Sequence, residues 1–116
     1  MSFIKYSNAA RSDLARLHQF LAQYDEKIAN KALDTIIKGI DYIEIHPLSG
    51  SPLADRPGVR KSVIDFGATG YLVFHKRYEK QDVNFVARII HQKEWYDEAT
   101  IGVAQEKVEE TRATDK

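Results

Sequence analysis

The stretch Pro47-Leu48-Ser49-Gly50-Ser51-Pro52-Leu53-Ala54-Asp55-Arg56-Pro57-Gly58 holds all three prolines of the chain and two of its six glycines. Proline lacks a backbone N–H and glycine imposes no side-chain preference, so this stretch neither continues a helix nor sits inside a sheet. It reads as a loop between two halves of different hydrophobic period. Before it, apolar residues recur every three or four positions; after it, they alternate.

On the amino side, Phe3 to Tyr6 is a short β-favouring run, and Ser7 or Asn8 offers a side-chain oxygen to cap a following helix. From Ala9 to Tyr24, Leu14, Leu17, Leu21 and Tyr24 form one apolar stripe, with Arg11, Asp13, Arg16, Gln19 and Gln23 in other directions. Asp25 can cap a second helix with a broader stripe of Ile28, Leu33, Ile36, Ile37, Ile40 and Ile43. Pro47 requires that helix to end near His46. On the carboxyl side, Val59 to Phe66, Tyr71 to Tyr78 and Val83 to His91 alternate, separated by Gly67 to Gly70 and Glu79 to Asp82, the pattern of a three-stranded meander. In the last run, Val83, Phe85, Ala87 and Ile89 are expected to point one way, onto a buried face, and Asn84, Val86, Arg88 and Ile90 the other, onto a mixed one. The expected fold is α+β in the order β-α-α-β-β-β, with a helical hairpin packed on one face of a small, largely antiparallel sheet.

A chain of 116 residues is long enough to bury a core without staples. It contains no cysteine, which excludes a disulfide framework, a thiolate zinc site and a cysteine nucleophile, and suits a reducing cytoplasm. No signal-like segment or apolar run of spanning length is visible, so the expected location is cytoplasmic, with no membrane partner. Lysine plus arginine equals aspartate plus glutamate, 17 each, but the balance is uneven. Residues 97–116 carry Asp97, Glu98, Glu106, Glu109, Glu110 and Asp115 against Lys107, Arg112 and Lys116. The chain therefore divides into a domain over residues 1–96, mildly basic, and an acidic, flexible tail over residues 97–116. That tail is either simply solvated or masks a basic surface. Trp95 and Tyr96 are expected to close an edge of the core. No glycine-rich phosphate loop follows a strand, and neither a cofactor nor a metal is expected.

Four pieces of sequence, in order, carry a resemblance. They are Ser7-Asn8-Ala9-Ala10 leading to Asp13-Leu14, then His46-Pro47-Leu48 with Gly50, then Pro57-Gly58-Val59-Arg60, and last Tyr71-Leu72-Val73-Phe74-His75 with Val86 to Trp95. Together with the element order they resemble the RelE/ParE toxin superfamily, most closely its ParE, or plasmid-stabilisation, branch. The resemblance implies the toxin of a bacterial type II toxin-antitoxin pair, neutralised by a cognate antitoxin in a hetero-oligomeric complex. It also implies one of two targets: DNA gyrase, poisoned by binding, or ribosome-bound messenger RNA, cut without a metal in the RelE manner. A third reading keeps the fold without the toxicity, as a partner or co-repressor of the antitoxin. Nucleic acid is expected to be contacted only through the antitoxin.

Metal-free RNA cleavage needs a base, an acid and cations for the phosphate. The candidates for those roles are Arg60, Arg88, His91, Lys93 and Tyr96. Each is individually better explained as surface or core closure, and His91 by alternation reads as a histidine capping the core. The resemblance also implies that Lys93 stands where many relatives carry arginine or a second basic residue. Lysine is a point charge without arginine's bidentate fork, so the chain reads as a binding inhibitor rather than an enzyme. For a bound antitoxin or target, the candidate residues are Arg60, Lys61, Val73, His75, Arg77, Val86, Arg88 and Ile90. The exposed sides of Val73, Val86 and Ile90 are expected to form an apolar groove ringed by Arg77 and Arg88.

Overall fold

The structure is a computed structural model that describes residues 3–94. Strand β1 (Phe3–Tyr6) leads into helices α1 (Asn8–Ala22) and α2 (Glu26–Ile45), followed by β2 (Ser51–Pro52), β3 (Val59–Phe66), β4 (Thr69–Tyr78) and β5 (Val83–His91). The five strands form one sheet in the order β1-β5-β4-β3-β2. β1 runs parallel to β5 and the other neighbours are antiparallel. This is the α+β architecture expected from the change of period.

Ser7 joins the halves of the molecule. Its N–H donates to the Val86 carbonyl at 3.0 Å, continuing the β1–β5 ladder by one bond. Its hydroxyl donates to the Ala87 carbonyl at 2.7 Å and accepts from the Ala10 N–H at 2.9 Å, capping α1. One buried serine thus ends a strand, starts a helix and ties both to β5. Asp25 caps α2 in the ordinary way, its carboxylate accepting from the Lys27 and Ile28 N–H groups.

The loop from Pro47 to Gly58 is not wholly outside the sheet. Ser51 and Pro52 pair with Lys61 and Arg60 at the outer edge of β3. An edge tolerates proline because the missing N–H faces away from the neighbouring strand. The β3–β4 connection is also tighter than the spacing from Gly67 to Gly70 suggested, since Phe66 pairs with Thr69. Gly67 takes φ +63° in that two-residue turn, a conformation open to glycine without steric cost.

The main core lies between the helices and the sheet, where Ala10, Leu17, Ala32, Ile36, Ile40 and Ile43 meet Ile64, Tyr71, Val73, Val86 and Ile89. A second cluster of Val59, Leu72, Phe74, Ala87 and Ile90 forms on the opposite face. The expected alternation in β5 fails because its register against β4 jumps. Phe74 pairs with Arg88 and His75 with Val86, leaving Ala87 as an extra residue. A bulge of one residue moves everything beyond it to the other face. Val86 and Ile89 therefore share the helix-covered face, while Ala87 and Ile90 share the other.

This corrects the expected groove. Val73 and Val86 are fully buried beneath the helices, and Ile90 is buried on the opposite face. They cannot form one exposed surface. Trp95, Tyr96 and the tail over residues 97–116 lie outside the described residues.

Candidate functional site

Asp13, expected to point away from the apolar stripe, instead belongs to the inward face of α1, three positions after Ala10 and four before Leu17, and all three are buried. A carboxylate on that face needs partners, because its charge is withdrawn from water. It finds them at the edge of β5 beyond the end of β1, where among the described residues no further strand continues the ladder. The Ile89 N–H donates to Asp13 Oδ2 at 2.9 Å. Arg88 adds a bidentate contact, Nε to Oδ2 at 2.8 Å and Nη2 to Oδ1 at 2.9 Å. The hydrogen bonds to Asp13 raise the Arg88 guanidinium above its ordinary value. Arg16 donates to Asp13 Oδ1 at 3.3 Å and to Glu94 Oε2 at 2.7 Å, and the other oxygen of Glu94 accepts from the His91 N–H at 2.7 Å. The sequence motif Asp13-Leu14 and the closing strand are thereby joined by one chain of charges.

Two further candidate cations, Arg60 and Arg77, are also engaged. Arg60 donates from Nε to the Ser49 carbonyl and from Nη2 to the Gly50 carbonyl, each at 3.0 Å, clamping the turn before β2. Arg77 holds Asp82 at 2.6 Å in the β4–β5 turn, where Asp82 takes φ +54°. His75 is buried, with Nε2 at 2.8 Å from the hydroxyl of Ser62. Burial, reinforced by the nearby Arg60 charge, lowers its pKa to about 4, so near neutral pH it is an uncharged core residue and not a surface contact. His91 sits partly exposed and edge-on to Tyr71, with ring centroids 5.5 Å apart. Its Nδ1 accepts from the Lys93 N–H at 3.1 Å, which leaves Nε2 to carry the ring proton toward Thr69 Oγ1 at 3.4 Å. Lys61 is half-buried and Lys93 exposed.

Beside this chain of charges opens an apolar cleft of about 1010 Å³ between the helical hairpin and the β3–β4 turn. Leu17, Phe20, Leu21 and Ile28 line one wall, Phe66, Tyr71 and His91 the other. Arg16, Lys31 and Lys93 stand at its rim with Asp65 and Glu94. Phe20 and Ile28 are 59% and 46% exposed, so the stripe expected to be wholly core continues out of the core here. Tyr24, just past the end of α1, is 75% exposed rather than packed. Of the expected site residues that are described, the cleft brings together only His91 and Lys93, and Arg88 reaches it through Asp13 and Arg16; Tyr96 lies outside the described residues. Arg60, His75 and Arg77 lie elsewhere. Phe20, Ile28, Lys31 and Phe66 were not among the expected site residues, Ile28 being read only as part of the α2 stripe. The available signal was an apolar residue at the start of α2, where a helix end projects beyond the sheet that would cover it.

A family model described as the ParE toxin of the type II toxin-antitoxin system parDE matches residues 4–96. The fold is similar to that of a chain from the chromosomal ParDE system of P. aeruginosa, with 16% identity, a TM-score of 0.61 and coverage of 80% of this chain and 97% of that one. It is similar to the E. coli toxin RelE, as a double arginine-to-alanine variant in the free state, with 15% identity, a TM-score of 0.58 and coverage of 79% and 84%. A chain of the intact E. coli RelBE toxin-antitoxin complex aligns with 15% identity, a TM-score of 0.56 and coverage of 81% and 100%. At these identities the likeness shows the fold alone. No curated protein matches the sequence.

Proposed function

The chain belongs to the ParE toxin family of type II toxin-antitoxin systems, and from that premise we propose that it arrests growth in the cytoplasm by binding DNA gyrase. In this reading a cognate antitoxin neutralises it by seating apolar side chains in the cleft lined by Phe20, Ile28, Phe66 and Tyr71.

The observation that carries the binding reading is the engagement of the candidate arginines. A metal-free nuclease needs arginine free to clamp the phosphate and stabilise charge in the transition state. Here Arg88 is held by Asp13 and Arg60 by two backbone carbonyls. Histidine at position 75 is buried and bonded to Ser62. What the surface offers instead is a concave apolar wall with exposed aromatic and branched side chains and a charged rim of Arg16, Lys31 and Lys93 with Asp65 and Glu94. That chemistry suits an amphipathic protein segment carrying acids.

The test is expression of the chain without its partner, with gyrase supercoiling, cleavage of ribosome-bound message and viability measured together. Loss of supercoiling with intact message supports the proposal. Normal supercoiling beside message cut at codon boundaries replaces it with the endoribonuclease reading. Normal growth with both processes intact replaces it with the non-toxic co-repressor reading.

A further inference from the structure

Strand β3 keeps an open edge beyond the reach of β2. The Val59 carbonyl accepts from the Leu53 N–H at 2.9 Å, and the Gly70 carbonyl, opposite Asp65, accepts from the Gln92 N–H just past β5. Both bonds place the main-chain polar groups of Val59, Lys61, Val63 and Asp65 on the edge of β3 that faces away from β4. β2 pairs only with Arg60 and Lys61, so among the described residues no strand takes up those of Val63 and Asp65. Such an edge is a template for a further strand. We propose that a second copy of this chain pairs there, β3 antiparallel to β3, about a two-fold axis at Ile64.

Register and charge select this arrangement. Strands related by a two-fold axis exchange main-chain bonds only where residues facing the open edge stand opposite each other. An axis at Val63 would set Asp65 of the second copy opposite Lys61, where Ser51 already pairs. An axis at Asp65 would set two aspartates opposite each other, which is unfavourable. With the axis at Ile64, Val63 stands opposite Asp65 of the second copy, and the symmetry makes that pair twice. By alternation Lys61, Val63 and Asp65 share the face turned from the helices. Lys61 is then diagonal to Asp65 of the second copy, about 7–8 Å away along the backbone and within reach of a long side chain. Val63, 51% exposed, is covered between these charges. On the helix side, Ile64 meets its own copy, and Phe66 of the second copy stands opposite Ser62. It meets there a groove of about 550 Å³ lined by Gly39, Tyr42, Gly50, Ser62 and Ile64, whose Tyr42 is 57% exposed.

Sedimentation velocity of the full chain is expected to show a reversible dimer at high micromolar concentration. Val63→Pro removes only a donor that the single sheet leaves open and should abolish the dimer. Asp65→Lys should weaken dimerisation by about tenfold, and Lys61→Asp added to Asp65→Lys should restore it, because the charges are exchanged within each pair. Amide exchange at Val63 and Asp65 should slow as concentration rises, while that at Ile64, bonded to β4, stays constant. A monomer at every concentration up to about 1 mM would overturn the proposal. So would a dimer that Asp65→Lys leaves intact, that the double exchange fails to restore, or that persists in Val63→Pro of native circular dichroism. Slow exchange at Val63 and Asp65 in the dilute monomer would assign the edge to another segment of the same chain and overturn it equally.

Discussion

Arg88 and Asp13 meet across 75 residues of sequence in a two-point contact, with both nitrogen–oxygen distances below 3 Å. The carboxylate side chain is only 4% exposed and the guanidinium 20%. The same carboxylate accepts from the Ile89 N–H, as a neighbouring strand would, beyond the point where β1 ends at Tyr6. The arginine that the sequence offered for phosphate contact is part of how the first helix docks on the sheet.

Removing one partner of a buried pair leaves the other charge uncompensated, which costs about 3–5 kcal/mol. Asp13→Ala is expected near that range, and Arg88→Ala somewhat below it because Asp13 keeps Ile89 and Arg16. In a double-mutant cycle by urea denaturation, the double variant should be less destabilised than the sum of the singles by about 1–3 kcal/mol. Additive single costs would show that the pair contributes nothing as a pair.

Arg60 bonds two carbonyls in the turn that positions β2, and hydrogen bonds from charged donors contribute about 1.5–3 kcal/mol each at most. Arg60→Ala should lower the thermal midpoint and speed amide exchange at Ser51, while Arg60→Lys recovers only part of the loss because lysine lacks the fork. Unchanged stability in Arg60→Ala would return this residue to the list of surface contacts.

The histidine at position 75 makes stability fall in acid. Its folded pKa of about 4 lies below the ordinary value of 6.5, so the unfolded chain takes up the proton first. The stabilisation is complete above about pH 6.5 and is lost as the pH falls toward 4, by at most about 3 kcal/mol. Midpoints of guanidinium unfolding between pH 7 and 4 should show this decline, with a shallower slope in His75→Gln. Equal slopes in the two proteins would place the acid sensitivity elsewhere.

Gly50 and Gly67 separate the cost of conformation from the cost of contact. Both take positive φ, but a Cβ at Gly50 would lie 2.3 Å from the Lys61 carbonyl oxygen, whereas at Gly67 nothing lies within 4 Å. Gly67→Ala should cost about 1–2 kcal/mol, the strain of the left-handed conformation alone. Gly50→Ala should cost clearly more and detach β2 from β3, read as lost amide protection at Leu53. Equal costs would mean that the backbone at Gly50 relaxes freely.

Substitutions in the cleft should separate binding from folding. Phe20→Glu and Ile28→Glu change side chains already about half exposed, so each should shift stability by about 0.5–1 kcal/mol at most. Affinity for the neutralising partner should fall by about tenfold or more, as for the central anchors of an interface. Unaltered affinity, measured by titration calorimetry with the antitoxin, would move the binding surface away from the cleft.

Period and punctuation in the sequence determined the architecture. The apolar stripe from Leu14 to Ile43, the prolines between residues 47 and 57 and the alternation after Val59 specify two helices followed by antiparallel strands, because each pattern buries an apolar face in only one kind of element. Ser7 and Asp25 were legible as caps for the same local reason. The site was not legible. A single extra residue at Ala87 reversed the facing of Ile89 and Ile90, and a bulge leaves no mark on the alternation that would locate it. Arg60, Arg77 and Arg88 looked like available cations because nothing local shows that Ser49, Asp82 or Asp13 will reach them. Asp13 read as a polar residue pointing away from the stripe, because the partner that draws it inward lies 75 residues away. Short-range chemistry determined which elements form. Which charges remain free, and which apolar faces are covered, depends on contacts between residues distant in sequence, and only the tertiary structure decided those.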